Sequence, residues 1–273
     1  MKTEKQEKLK QLFEAAYRDF HSQDRKRVDP VSLVHKYSNA QDQEVAAFFA
    51  ALLAYGNVQT ILKSVQTVLR PLGISPYKTL LERPLSGLWN GFRHRFTTGE
   101  DIEILAHWLS LAIKSHGSLE NFFVTTEVEM KPLLSDFIVR FCSQPLPLHL
   151  QKVKKTRERN LKYLLSDPLR GSACKRLNMF LRWVVRPKDG IDLGLWKKLN
   201  PSVLMLPVDT HLLQTLQSLR WTRSKQATWK VVEVATAKLR EIAPHDPIRY
   251  DFSLCHLSMS GGNIKSYLES TAP

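Results

Sequence analysis

The chain has 273 residues, 43% of them hydrophobic, which fits a globular protein able to bury a sizeable core as one large domain or two small lobes. Lys and Arg number 40 against 26 Asp and Glu, a net charge of +14, and between Gln151 and Lys188 stand 12 of these cations against two acids; charge so concentrated favours nucleic acid over an acidic small molecule as partner. Cys142, Cys174 and Cys255 are too few for a disulfide framework or a four-cysteine iron–sulfur or zinc cluster, and the longest apolar run, Val45 to Tyr55, is too short to span a bilayer. The expectation is a cytoplasmic protein without membrane association, nucleoid-associated if bacterial.

Glu4 to Phe20 carries Leu9, Leu12, Phe13, Ala16, Tyr17 and Phe20 at helical spacing, a basic amphipathic first helix. A second, starting near Asp42, is apolar almost all round (Val45, Ala46, Phe48, Phe49, Leu52, Leu53) and reads as a buried core helix that Gly56-Asn57 stops. Val58 to Leu69 follows, with Ile61, Leu62, Val65, Val68 and Leu69 on one face and Pro71 and Gly73 past its end. Helical spacing continues over Asp101–Ser115, Lys131–Cys142, Ala173–Arg186, Asp209–Leu219, Ser224–Ile242 and Pro247–Leu257, and no strand pattern is convincing. The long loose stretch, Ser143 to Thr156, reads as a hinge between lobes or a surface connection. The tail past Gly261-Gly262 is expected to fray, with Tyr267-Leu268 docking. The fold class is all-α.

Two short stretches carry chemistry. The first is Gly171-Ser172-Ala173-Cys174-Lys175. On a helical wheel Leu177, Phe180, Leu181 and Val184 face the core, while Lys175, Met179, Arg182 and Arg186 fall opposite as a cationic stripe suited to phosphates. Gly171, Ser172 and Ala173 add small residues and backbone N–H groups where a phosphate can approach closely, with Arg176 beside them. The positive helix end and Arg176 both disfavour an ammonium at Lys175, which makes a neutral, nucleophilic amine easier to reach; the plain alternative is a solvated surface lysine. The second stretch is Pro207-Val208-Asp209-Thr210-His211. Asp209 reads as a helix N-cap, and equally as a carboxylate able to stabilise a cationic sugar.

Together the two stretches resemble a family. Arg170-Gly171-Ser172-Ala173-Cys174-Lys175 is similar to the hairpin of the helix-hairpin-helix DNA glycosylases, Leu-Pro-Gly-Val-Gly-x-Lys, with Ala173 at its second glycine and the leading Leu-Pro missing. Val208-Asp209-Thr210-His211 is similar to the segment bearing that superfamily's catalytic aspartate, as in endonuclease III relatives. The spacing of 34 residues resembles that of archaeal 8-oxoguanine glycosylases. The overall pattern, including Lys175 to Trp183 and Tyr250-Asp251-Phe252, resembles most an uncharacterised bacterial family with a domain of unknown function related to these glycosylases.

The resemblance implies a two-lobed, glycosylase-like helical array with a helix-hairpin-helix motif. Its central lobe would run over about 42–165 and its hairpin over about 161–186, and the N-terminal helix would join about 187–260 as second lobe. It implies Lys175 as Schiff-base nucleophile and Asp209 as essential carboxylate of a monomeric base-excision glycosylase and AP lyase. The substrate would be double-stranded DNA with a damaged base, such as 8-oxoguanine or another oxidised purine, and no metal or cofactor would be needed. Gly171, Ser172, Ala173, Arg176, Arg182 and Arg186 would contact the DNA backbone. Tyr55, Asn57, Phe92, Arg93, Phe96 and Asn178 would form the base pocket or wedge; Trp89 to Phe96 interleaves aromatics with cations as a nucleic-acid contact does. The rival is a non-catalytic DNA- or RNA-binding helical protein that uses the hairpin for phosphate contact, and a third class is a protein-interaction scaffold.

Overall fold

The computed structural model describes residues 2–260, 264 and 267. Among them lie fourteen α-helices: α1 (Lys2–Phe20), α2 (Gln23–Lys26), α3 (Val31–Val34), α4 (Ala40–Leu52), α5 (Val58–Leu69), α6 (Pro76–Glu82), α7 (Gly99–His116), α8 (Leu119–Phe123), α9 (Met130–Cys142), α10 (Leu148–Leu164), α11 (Lys175–Val185), α12 (Thr210–Ser218), α13 (Trp229–Ile242) and α14 (Asp251–Met259). One antiparallel hairpin, β1 (Arg93–His94) and β2 (Thr97–Thr98), accompanies them, so the class is all-α. Gly261, Gly262 and Leu268 lie outside the described residues, whereas Tyr267 docks by donating its hydroxyl to Asp19.

The chain divides into two compact units. The first comprises residues 28–169 and 195–198. Its centre is α4, buried from Val45 through Leu52, with α3, α5 and α6 packed on it. Side-chain caps explain its local boundaries: Asn39 Oδ1 accepts from Gln41 N (2.8 Å) to start α4, and Asn57 Oδ1 accepts from Gln59 N (3.0 Å) to start α5. The segment 195–198 returns to this unit because Trp196 donates its indole N–H to Glu44 Oε1 at 2.6 Å. Burial pushes the Glu44 carboxyl above the usual range, against the Leu119 and Glu120 amides and Trp196 that bond it.

Two sequence expectations fail in this unit. The stretch 143–156 is no loose connection beyond its first residues, for α10 starts at Leu148 and runs 17 residues. Pro145 and Pro147 punctuate only its start, and its buried face is a thin line of Leu150, Leu161 and Leu164 that charged residues conceal. The hairpin was also unforeseen, since strands of two residues cannot display alternation. It is held by His94, buried between Ser64 Oγ (2.9 Å) and the Tyr55 carbonyl (3.0 Å), and burial keeps that imidazole below its ordinary range.

Where the hairpin enters α7, the backbone leaves no room. A Cβ at Gly99 would stand 1.9 Å from the Trp89 carbonyl oxygen. Gly99→Ala must therefore displace backbone, and is expected to cost at least about 1–3 kcal/mol as an overpacked site does. A thermal melt checks this, and an unchanged midpoint would show that the contact relaxes freely.

The second unit comprises the described residues among 1–27, 170–194 and 199–273. Helix α14 packs against α1 and α12, with Phe13, Tyr250 and Phe252 buried in its core and half-buried Tyr17 edge-on to Tyr250. Thr228 caps α13 and Asp209 caps α12.

Candidate active site

Lys175 is the first residue of α11, and the turn before it is bent in two places. Gly171 has φ 83°, free for a glycine, whereas Cys174 sits at φ 48° and ψ 35°, a left-handed conformation that costs a residue with a Cβ. Neighbours hold the bend. Cys174 N donates to Ser172 Oγ (3.2 Å), and Asn178 Nδ2 donates to the Ala173 carbonyl (3.0 Å). The Gly171 carbonyl accepts from Trp229 N (3.0 Å), and Ser172 bridges antiparallel to Thr228. A strained turn braced by its surroundings fixes where the next side chain starts, and that side chain is Lys175.

Lys175 is half-buried. Its Nζ rests 3.3 Å from Met179 Sδ, one turn along, and it makes no ion pair among the described residues. Asp209, also half-buried, caps α12: its Oδ1 accepts from Leu212 N at 2.9 Å, and it too makes no ion pair among the described residues. The cap reading of the sequence is thus correct. It leaves the second carboxylate oxygen with no donor among the described residues.

A third residue relates the two. Asp251 opens α14 and is buried, and its carboxylate is bound by Arg182, which stands seven residues, about two turns, from Lys175 on α11. Burial pushes the Asp251 carboxyl above the usual range, and Arg182 opposes this by its charge and hydrogen bond. The charges of Asp209, which raises it, and Lys175, which lowers it, act on the same group. A lysine and an aspartate 34 residues apart in the chain thus both act through their charges on one buried carboxylate. The sequence reading gave Asp251 no role. Its signal was an acid standing between Tyr250 and Phe252, where the other residues are core.

Burial removes the phosphate track expected on α11. Arg182 and Arg186 are each only 4% exposed. Arg182 Nε donates to Asp192 (3.1 Å), while Arg186 donates to Asp246 (2.9 Å from Nη2), Asp189 (3.0 Å) and Asp192. Both guanidinium groups are neutralised inside the unit and cannot meet phosphates. Arg176 is likewise buried. Asn178 is buried too, and it braces the hairpin through Ala173 rather than lining a base pocket. Gly171 and Ser172 remain at or near the surface, while Ala173 is buried.

The other candidate base contacts belong to the first unit. Phe92 is core, with its backbone bonded to Trp89 and Gly99, so no base can stack on it. Arg93 is exposed, and Asn57 is exposed while capping α5. Tyr55 and Phe96 are half-buried and stack on each other, ring centroids 5.2 Å apart at 19°.

The family described as protein of unknown function (DUF2400) matches residues 29–260. The chain belongs to this family. The matched span holds Lys175, Asp209 and Asp251 and leaves out α1. No curated protein and no solved structure matches the chain. Among the described residues, no helix is long and apolar enough to cross a membrane.

Proposed function

We propose that this protein is a DNA repair glycosylase with AP lyase activity, acting on duplex DNA that carries a damaged base, an oxidised purine such as 8-oxoguanine foremost. The observation that carries the reading is the pair Lys175, first residue of α11 after a braced turn, and Asp209, cap of α12, in one compact unit, both acting by charge on buried Asp251. An amine without an ion-pair partner and a carboxylate with one uncommitted oxygen suit reaction at a sugar carbon. The resemblance of residues 170–175 and 208–211 to the helix-hairpin-helix glycosylases supports it. The net charge of +14 suits a polyanionic substrate.

In this mechanism the target nucleotide is rotated out of the duplex, because its C1′ is out of reach within the stack. The neutral Lys175 amine forms a bond to C1′ as the N-glycosidic bond breaks, and the base departs with that electron pair and takes up a proton. The Asp209 carboxylate faces the positive charge that develops on the sugar. Loss of the amine proton and opening of the sugar ring give an imine between Lys175 and C1′. The imine acidifies the C2′ proton; its removal expels the 3′ phosphate, and water then releases the lysine.

The test is reductive trapping. The protein is incubated with duplexes bearing an abasic site, 8-oxoguanine or other oxidised purines, and borohydride is added. A covalent protein–DNA adduct on the abasic duplex, and on at least one lesion duplex together with released base, is expected. Binding without adduct or base release would instead establish a non-catalytic nucleic-acid-binding protein.

A further inference from the structure

With Arg176, Arg182 and Arg186 buried, the cationic surface of residues 151–188 narrows largely to α10. Several of its own cations are committed internally. Arg157 donates to Asp101 and to the Phe96 carbonyl, Lys154 donates to the Cys142 carbonyl (2.7 Å), and Lys162 pairs with Glu158. Lys152, Lys155 and Arg159 are exposed and make no ion pair among the described residues. Their spacings of three and four put them on one helix face with Tyr163, a stripe of roughly 16 Å from Lys152 to Tyr163.

The stripe ends in an aromatic cluster. Tyr163 is 44% exposed and stands edge-on to Phe96 (4.7 Å, 84°) and Tyr55 (5.5 Å, 80°). The cluster is tied to the chain around it. Arg157 and Asn160 of α10 both donate to the Phe96 carbonyl, and the Tyr55 hydroxyl bonds Thr97 Oγ1 at 2.6 Å. Exposed Arg93 and Arg95 flank it on the hairpin, with the Arg95 side chain lying across Gly56. Cations in file followed by a partly open aromatic ring match what a single nucleic-acid strand needs, phosphates tracked in sequence and a base stacked at the end. A fully paired duplex satisfies only the first half, since its base faces are covered.

We infer that the exposed face of α10 binds a single nucleic-acid strand, with Lys152, Lys155 and Arg159 along its phosphates and Tyr163 stacking an unpaired base. The inference rests on the nucleic-acid partner proposed above but not on the Lys175 chemistry. Fluorescence anisotropy with a labelled single-stranded DNA oligonucleotide, competed by the same sequence as duplex, tests it across a salt series. The triple variant Lys152→Gln, Lys155→Gln, Arg159→Gln is expected to bind the strand more weakly and to flatten the log–log salt slope by about 2. Tyr163→Ala is expected to weaken single-strand binding at least about fivefold and leave duplex binding unchanged. All four positions are exposed, and a thermal melt equal to wild type confirms that folding is intact. An unchanged salt slope in the triple variant, or an equal effect of Tyr163→Ala on strand and duplex, overturns the inference while borohydride trapping still stands. Absence of any nucleic-acid binding by the wild type overturns both.

Discussion

Arg186→Ala is expected to destabilise the protein by about 3–5 kcal/mol, a fall in melting midpoint on the order of 10 °C. Arg186 is buried and donates to three carboxylates, Asp189, Asp192 and Asp246, and Asp192 is wholly inaccessible to solvent. Alanine deletes the cation and leaves these acids close together with only Arg182 still bonded to Asp192. Burial with a partner is tolerable; burial of the remaining charge alone is not. Arg186→Lys restores the charge but not the fork that reaches three acceptors, so it should recover only part of the loss. The deficit also depends on pH. Burial by itself would raise the Asp189 carboxyl, yet the His21 imidazole, 3.2 Å away, and the charge of Arg186 hold it well below the usual range. A depressed carboxyl contributes stability that is fully present above its unfolded value, about 4, and is lost as pH falls toward the folded one. The gap between wild type and Arg186→Ala should therefore narrow as melts are taken below about pH 4. A gap that stays constant, or a loss under about 1 kcal/mol, would show that the network carries little of the stability.

The same arginines show where sequence reasoning stops. A helical wheel locates the apolar stripe of α11 correctly, because Leu177, Phe180, Leu181 and Val184 are all buried. It cannot say whether the opposite face is also covered, and here the acids of the 189–192 loop, Asp246 and the start of α14 cover it. Burial on both faces is a tertiary fact; the hint in the sequence was four aspartates, Asp189, Asp192, Asp246 and Asp251, within reach of a basic helix. By contrast α5 was legible to both ends, since Gly56-Asn57 interrupts the chain before it and Pro71 with Gly73 end it. Helix α10 was hidden for the opposite reason, as its charges outnumber its buried leucines and no period stands out. Lys175 and Asp209 are singled out by a glycine turn, a capping acid and the resemblance of the two stretches that bear them. Asp251, on which both charges act, shows locally only as an acid between Tyr250 and Phe252, and what marks it is the company it keeps in the fold.

Under the proposed function, Lys175→Ala should form no borohydride adduct at all, since the reducible imine requires that amine. Asp209→Asn keeps an acceptor for Leu212 N and so keeps the α12 cap, but removes the charge, and adduct formation should slow by about 10²–10³. An adduct retained in Lys175→Ala would assign the chemistry to another amine. Base release without adduct in that variant would instead leave Asp209 activating water, with Lys175 as a phosphate ligand. Asp251→Asn separates placement from reaction. Asp251 is a positioning residue: it touches Arg182 directly and reaches Lys175 and Asp209 only through its charge. Asn keeps an acceptor for Arg182 while removing that charge, so if Asp251 positions the reacting groups the rate of adduct formation should fall by about tenfold while duplex binding holds. A residue that only held the fold together would lower the melting midpoint and leave the trapping rate of the folded protein unchanged. The split between rate and stability therefore decides whether the third carboxylate belongs to the site or merely to the scaffold beneath it.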